Sequence, residues 1–227
     1  MLRAIIFDFN GIIVDDEPIH FELFQQVLKE EEIRLTEEDY YSRYLGFDDR
    51  GAFTAAYREH RRPLDDHHLD RLIERKAIYY QEAIKTRMRV FPGVKTVIPA
   101  LAERVPLAIA SGALRHEIRE ILSSIGLVER FRTIVSAEDV RRGKPDPEIF
   151  LKALANLNAA LAGNSPISAS DCLVIEDSKE GIRGARSAGM KCLAVTNSHP
   201  ADLLKGADAV VESLEPLTLK ALEALWS

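Results

Sequence analysis

The stretch Arg3-Ala4-Ile5-Ile6-Phe7-Asp8-Phe9-Asn10-Gly11 decides how the rest of this chain is read. It is short, apolar and rich in isoleucine, and it breaks on an aspartate followed by an Asn-Gly pair. Residues 3–9 therefore read as a strand. The apolar character is continuous rather than alternating, which places the strand in a sheet covered on both faces, and such sheets are parallel. Similar runs recur at 105–110, 133–135, 173–175, 191–195 and 209–211. Helical patterns over 95–103, 115–125, 146–157 and 179–188 separate the later runs. Strands alternating with helices predict an α/β fold with a doubly wound, Rossmann-like parallel sheet.

Residues 16–88 break that rhythm. No strand pattern stands out there, and helical patterns follow one another over 17–32, 36–44, 51–59 and 65–85. Thr36 before Glu37-Glu38-Asp39 reads as an N-cap with acids in the first turn. The sequence thus predicts a core from residues 1–15 and 89–227, with an all-helical cap at 16–88 inserted after the first strand. Phe91-Pro92-Gly93 marks the return to the sheet.

Composition narrows the function classes. The chain has 227 residues, a net charge of −6 and 46% hydrophobic residues, the profile of an ordinary globular protein. Arg61-Arg62 and Arg141-Arg142 are isolated basic pairs, too few for a nucleic-acid track. No run approaches the roughly 18 apolar residues of a membrane span. Asp8, Asp15, Asp16 and Glu17 interrupt the start, which is not a signal-peptide layout. Cys172 and Cys192 lie in apolar runs and read as buried, unreactive thiols in a reducing compartment. The expectation is a cytoplasmic monomer or dimer without nucleic-acid or membrane partners. His67-His68 beside Asp65-Asp66 reads as a solvated helix start rather than a metal site.

Four motifs fall at strand ends: Asp8-Phe9-Asn10-Gly11, Ser111-Gly112, Gly143-Lys144-Pro145-Asp146-Pro147, and Glu176-Asp177-Ser178. Ligands of open parallel sheets bind beyond the carboxyl ends of the strands. Asp8, Glu176 and Asp177 offer hard oxygens suited to Mg²⁺. Ser111 and adjacent backbone N–H groups suit phosphate oxygens. Lys144 adds a point charge, and a carboxylate opposite a phosphoryl group can attack it.

On these motifs the chain resembles the haloacid-dehalogenase superfamily, in its helical-cap phosphatase and β-phosphoglucomutase-like branch. The matching stretches are Ile6–Gly11 with Asp15, Ala110–Gly112, Lys144–Phe150, and Val174–Ser178 with Gly181-Ile182. The resemblance implies a Mg²⁺-dependent phosphatase acting on a small phosphorylated metabolite through an aspartyl-phosphate at Asp8. It implies Ser111, Gly112 and Lys144 as phosphate contacts. It implies Asp8, the Asn10 carbonyl, and Glu176 or Asp177 as metal ligands. His20, Arg50 and Lys76 become substrate-side residues of the cap, and Arg50 could equally pair with Asp48 or Asp49.

The sequence departs from the family at Asn10, where the family carries an aspartate that protonates the leaving group and then activates water. An amide cannot do this, so a factor of about 10²–10⁴ is missing or supplied elsewhere. Three readings stay open: a change made to trap a substrate complex, an enzyme that recruits His20, Asp15 or Asp16 for the proton, or a phospho-ligand binder with little turnover. A sugar-phosphate mutase with a second phosphate site at Arg50 and Lys76, a metal-independent dehalogenase, and phosphonate cleavage through Lys76 are rival chemistries.

Overall fold

The computed structural model describes residues 1–44, 47, 49–161 and 165–226. The strands are β1 Ala4–Phe7, β2 Val14–Asp15, β3 Arg89–Val90, β4 Leu107–Ala110, β5 Phe131–Val135, β6 Cys172–Glu176, β7 Lys191–Val195 and β8 Ala209–Val211. Six of them form one parallel sheet in the order β5-β4-β1-β6-β7-β8. Every residue of β1, β4 and β6 is buried, which is why their sequences show no polar alternation.

The order of the strands locates the functional edge. From β1 the chain moves outward through β4 to β5, then crosses back to β6 on the other side and continues to β8. The winding direction therefore reverses around β1. A crevice opens where connections leave a sheet in opposite directions, at the carboxyl ends of the strands concerned.

Helices α1 Glu17–Glu30, α2 Glu37–Asp39, α3 Asp49–Glu59 and α4 Asp66–Arg87 belong to one compact unit, Asp16–Met88. Helices α5 Val94–Ala102, α6 Arg115–Ser124, α7 Glu148–Ala160, α8 Lys179–Ser187 and α9 Leu219–Glu223 belong to the other, Met1–Asp15 with Arg89–Ser227. Each unit has its own core. In the sheet unit, Ile149, Phe150, Ala153 and Leu157 of α7 and Ile182 and Ala185 of α8 pack with inward residues of β1, β4 and β6. In the helical unit, Phe24, Val27 and Leu28 of α1 pack with Phe53, Ala56, Leu69 and Leu72.

Local chemistry sets the element ends. Thr36 accepts a hydrogen bond from the Asp39 N–H, as its N-cap pattern predicts. Asp65 does the same for His68, so the Asp65-Asp66-His67-His68 stretch is a capped helix start. The helix expected over 36–44 is instead a short α turn followed by a π turn at Tyr40–Tyr44. Tyr40 and Tyr44 are both buried, and the wider turn turns both rings inward. The antiparallel pair β2–β3 was not predicted. Two residues per strand are too few for any periodicity to register.

Both cysteines are buried and unpaired, as the sequence implies. Burial pushes the Cys172 thiol up to about 12, the behaviour of an inert core residue. No described helix is long and apolar enough to cross a membrane.

Candidate active site

Four loops deliver the site, each from the carboxyl end of a sheet strand. Asp8 follows β1, Ser111 follows β4, Lys144 lies in the loop after β5, and Glu176 and Asp177 end β6. Asp8, Ser111, Glu176 and Asp177 are all buried. Carboxylate oxygens of Asp8, Glu176 and Asp177 lie within 4.8 Å of one another. The structure thus brings together the acids that the sequence placed on separate strands.

Lys144 bridges two of them, with Nζ 2.8 Å from Asp8 Oδ1 and 2.6 Å from Glu176 Oε1. Burial works against the ammonium, but the two carboxylates outweigh it and hold Lys144 above its ordinary value. Lys144 is therefore a fixed positive charge at this edge.

Glu176 is the most fully satisfied of the three acids. Besides Lys144, it accepts from the Asp177 and Ser178 N–H groups, each at 2.9 Å, and from the Ser178 hydroxyl at 2.8 Å. Burial disfavours its charge, yet Lys144 and the Ser178 donors together hold its carboxyl below the usual range. Asp8 and Asp177 differ. Burial is the main influence on both and raises them, Asp8 to about 7 against the pull of Lys144. Asp177 rises well above its ordinary value through burial and the neighbouring charges of Glu176 and Asp8. One lysine does not balance three buried acids, and a hard divalent cation among these oxygens would. The donor set fits Mg²⁺ on that ground.

Two glycines make room for the acids. A methyl group on Gly11, whose φ is +75°, would come within 1.8 Å of Asp177 Oδ2. One on Gly181 would lie 1.8 Å from Glu176 Oε1. The Asn10-Gly11 pair is thus a close approach as well as a turn.

Ser111 Oγ accepts from the Ala113 N–H at 3.1 Å and donates to Asn10 Oδ1 at 3.4 Å. This sets the Asn10 amide beside the Ser111 hydroxyl. Gly112 is exposed in the same loop. Two further residues escaped the sequence reading. The Ser198 hydroxyl donates to Asp177 Oδ2, and Asn197 Nδ2 donates to the Gly11 carbonyl at 2.7 Å. Both follow β7, so the strand-end rule that found the others also pointed there.

The three residues expected on the helical unit behave otherwise. Lys76 is 1% exposed and its Nζ meets Asp49 Oδ1 at 2.6 Å and His20 Nδ1 at 2.9 Å, above the Phe24 ring. Because an ammonium only donates, His20 Nδ1 accepts, and the His20 proton falls on Nε2, which faces Asp16 Oδ2 at 3.1 Å. Tyr80 donates to the same Asp16 oxygen and stacks on His20. Burial lowers the Lys76 ammonium, with Asp49 opposing. Arg50 instead pairs with Asp70 at 2.5 Å, with Asp66 at 3.9 Å. Asp48, a partner expected from sequence, lies outside the described residues. Arg50 and Lys76 therefore pair with different carboxylates.

Comparison with known proteins agrees with this layout. The sequence matches the haloacid dehalogenase-like hydrolase family over residues 5–195. It is 29% identical to a β-phosphoglucomutase of Bacillus subtilis, over 99% of this chain and 96% of that protein. It is 30% identical to a phosphorylated carbohydrates phosphatase of Thermotoga maritima, over 96% of this chain and 98% of that one. The fold superposes on the crystal structure of β-phosphoglucomutase from Clostridium difficile with a TM-score of 0.78 at 22% identity, covering 100% of this chain and 97% of that one. The chain belongs to the haloacid dehalogenase-like hydrolase family and is an enzyme of that hydrolase class.

Proposed function

We propose that the chain is a Mg²⁺-dependent phosphatase of small phosphorylated metabolites, with Asp8 as the nucleophile. The observation that carries this reading is the Lys144 bridge between Asp8 and Glu176 inside a buried triad of acids. A bound Mg²⁺ would supply charge neutralisation for the phosphoryl oxygens. Asp8 and Asp177, the acids that burial raises, would be its carboxylate ligands, and the Asn10 backbone carbonyl would add a third oxygen. Glu176, whose oxygens already take four donors, fixes Lys144 and the β6 end.

The remaining steps belong to the protein's own side chains. Lys144 fixes the Asp8 carboxylate and neutralises negative charge as the phosphoryl group arrives. The Ser111 hydroxyl, only 3.4 Å from an uncharged amide oxygen, turns to a phosphate oxygen, joined by the Gly112 N–H. Asp8 attacks phosphorus, the bond to the leaving oxygen breaks, and Asp8 carries the phosphoryl group until water cleaves it. Asn10 gives no proton to the leaving oxygen and takes none from the water. In this reading residues 16–88 act as the cap and hold the leaving-group specificity.

The names of the relatives support phosphoryl chemistry on carbohydrates as the substrate class to try first. The test is a Mg²⁺-dependent screen of sugar phosphates on this chain and its Asn10→Asp variant. Turnover in the variant is expected to exceed that of this chain by about 10²–10⁴-fold. Inactivity of both, on every substrate and with the metal present, defeats the proposal. Glucose phosphates in the panel separate hydrolysis from phosphate migration within one sugar.

A further inference from the structure

A cluster of arginines lies along the open edge of the sheet, away from Asp8. Strand β5 is the terminal strand and pairs only with β4. Against it lies a cavity of about 430 Å³, into which three arginines project: Arg115 and Arg119 from α6, and Arg132 from β5 itself. None of the acids of the Asp8 site lines it.

The arginines differ in how they are held. Arg115 is anchored: its guanidinium donates to the Ile134 carbonyl at 2.9 Å and pairs with Asp139. Arg119 and Arg132 are exposed, and neither has an ion-pair partner among the described residues. Arg115 and Arg119 stand four residues apart on one helix, a spacing at which like charges repel. Glu129 is the one acid of the lining. Asp139 offsets the charge of Arg115, so Arg119 and Arg132 face Glu129 alone, a local positive excess in a protein whose net charge is −6.

The rest of the lining limits the occupant. Phe131 and Ile134 are buried beneath it, so the accessible lining is polar, and Asn156 donates to Thr133 beside it. Its volume falls in the range of small-molecule pockets, about 300–1,000 Å³. A bare inorganic ion would leave most of this volume empty. A polyanionic macromolecule would meet the repulsion of the net acidic surface around one small patch.

We infer that this cavity binds a small organic polyanion carrying two or more phosphate or carboxylate groups, held by the Arg119 and Arg132 forks beside the anchored Arg115. Planar guanidinium forks match both oxyanions in bidentate fashion. The site is independent of the chemistry at Asp8.

Calorimetric titration of the full chain with pyrophosphate and, separately, with citrate tests this. The Arg119→Ala/Arg132→Ala variant changes only exposed side chains, so it folds, which its circular dichroism verifies. Each arginine lost is expected to weaken binding at this cavity about tenfold. Binding at Asp8 is unchanged in the variant, so pyrophosphate goes from two classes of site to one. Arg119→Lys/Arg132→Lys, which keeps charge but loses the forks, is expected to fall between the two. A preference for pyrophosphate assigns a phosphorylated ligand, and a preference for citrate a polycarboxylate. Isotherms for both probes that do not differ between the chain and the double alanine variant overturn the inference.

Discussion

Gly181 and Gly112 make a matched pair at the residue scale. Gly181 sits in the first turn of α8, with Glu176 Oε1 only 1.8 Å from where a methyl would be. Gly112 has nothing within 4 Å of that position. Gly181→Ala must push Glu176 off Lys144 or off the Ser178 donors, and either leaves a buried charge short of partners. A loss of about 2–4 kcal/mol in urea unfolding is expected, together with most of the activity. Gly112→Ala is expected to fold within about 0.5 kcal/mol of the parent. Equal stability of the two variants would mean that Glu176 is not held as described. The acids and Lys144 could be read from sequence because strand ends are fixed points in a parallel sheet. The burial of Lys76 had a signal in the sequence: Leu69, Leu72, Lys76, Tyr80 and Ala83 share one helical stripe, and all five are buried.

At the scale of elements, α4 carries Lys76 into the helical unit, where Asp49 and His20 hold its ammonium. The long apolar stem of lysine also fills volume against Phe24. Lys76→Met keeps that volume and removes a buried charge, while Asp49 is partly exposed and can turn to water. Its stability is expected to stay within about 1.5 kcal/mol of the parent. Lys76→Ala opens a cavity beside Phe24 and is expected to lose about 2–4 kcal/mol. Urea melts of the two variants check this, and equal losses would mean that the charge rather than the stem stabilises the helix pair. Elements were legible in proportion to their length and burial. The six sheet strands appear as apolar runs, although the first expected strand, 3–9, contracts to Ala4–Phe7. Asp8 still donates its N–H to the Ile175 carbonyl at 2.9 Å, and its side chain enters the site where the strand ends. The two-residue strands β2 and β3, the π turn and α9 carry no pattern long enough to read.

For the whole molecule, the arrangement of charge is expected to make stability depend jointly on pH and, in the proposed reading, on divalent metal. The carboxyl of Asp8 is raised to about 7 in the folded protein, mainly by burial. A group raised on folding contributes stability that is complete below its unfolded value and is lost as pH climbs through the folded one. Without divalent metal, the chain is therefore expected to lose stability as pH rises toward and past 7, and Asp177 adds to the loss in the same direction. Metal binding reverses the slope, because a cation takes the place of the proton on Asp8. Apparent Mg²⁺ affinity then falls about tenfold for each pH unit below the Asp8 value. The check is a series of thermal melts from about pH 5.5 to 8.5, with chelator and with excess Mg²⁺, in which the stabilisation by metal grows steadily with pH. The six histidines ordinarily titrate inside this window too, so the comparison with an Asp8 variant assigns the slope. Replacing Asp8 by asparagine removes one of the two raised carboxyls, and its melts in chelator are expected to fall less steeply with pH than those of the parent, with Asp177 carrying the remaining slope. If that variant keeps the slope of the parent, the titrating group lies elsewhere, and the charge imbalance among Asp8, Glu176 and Asp177 is not what a metal relieves.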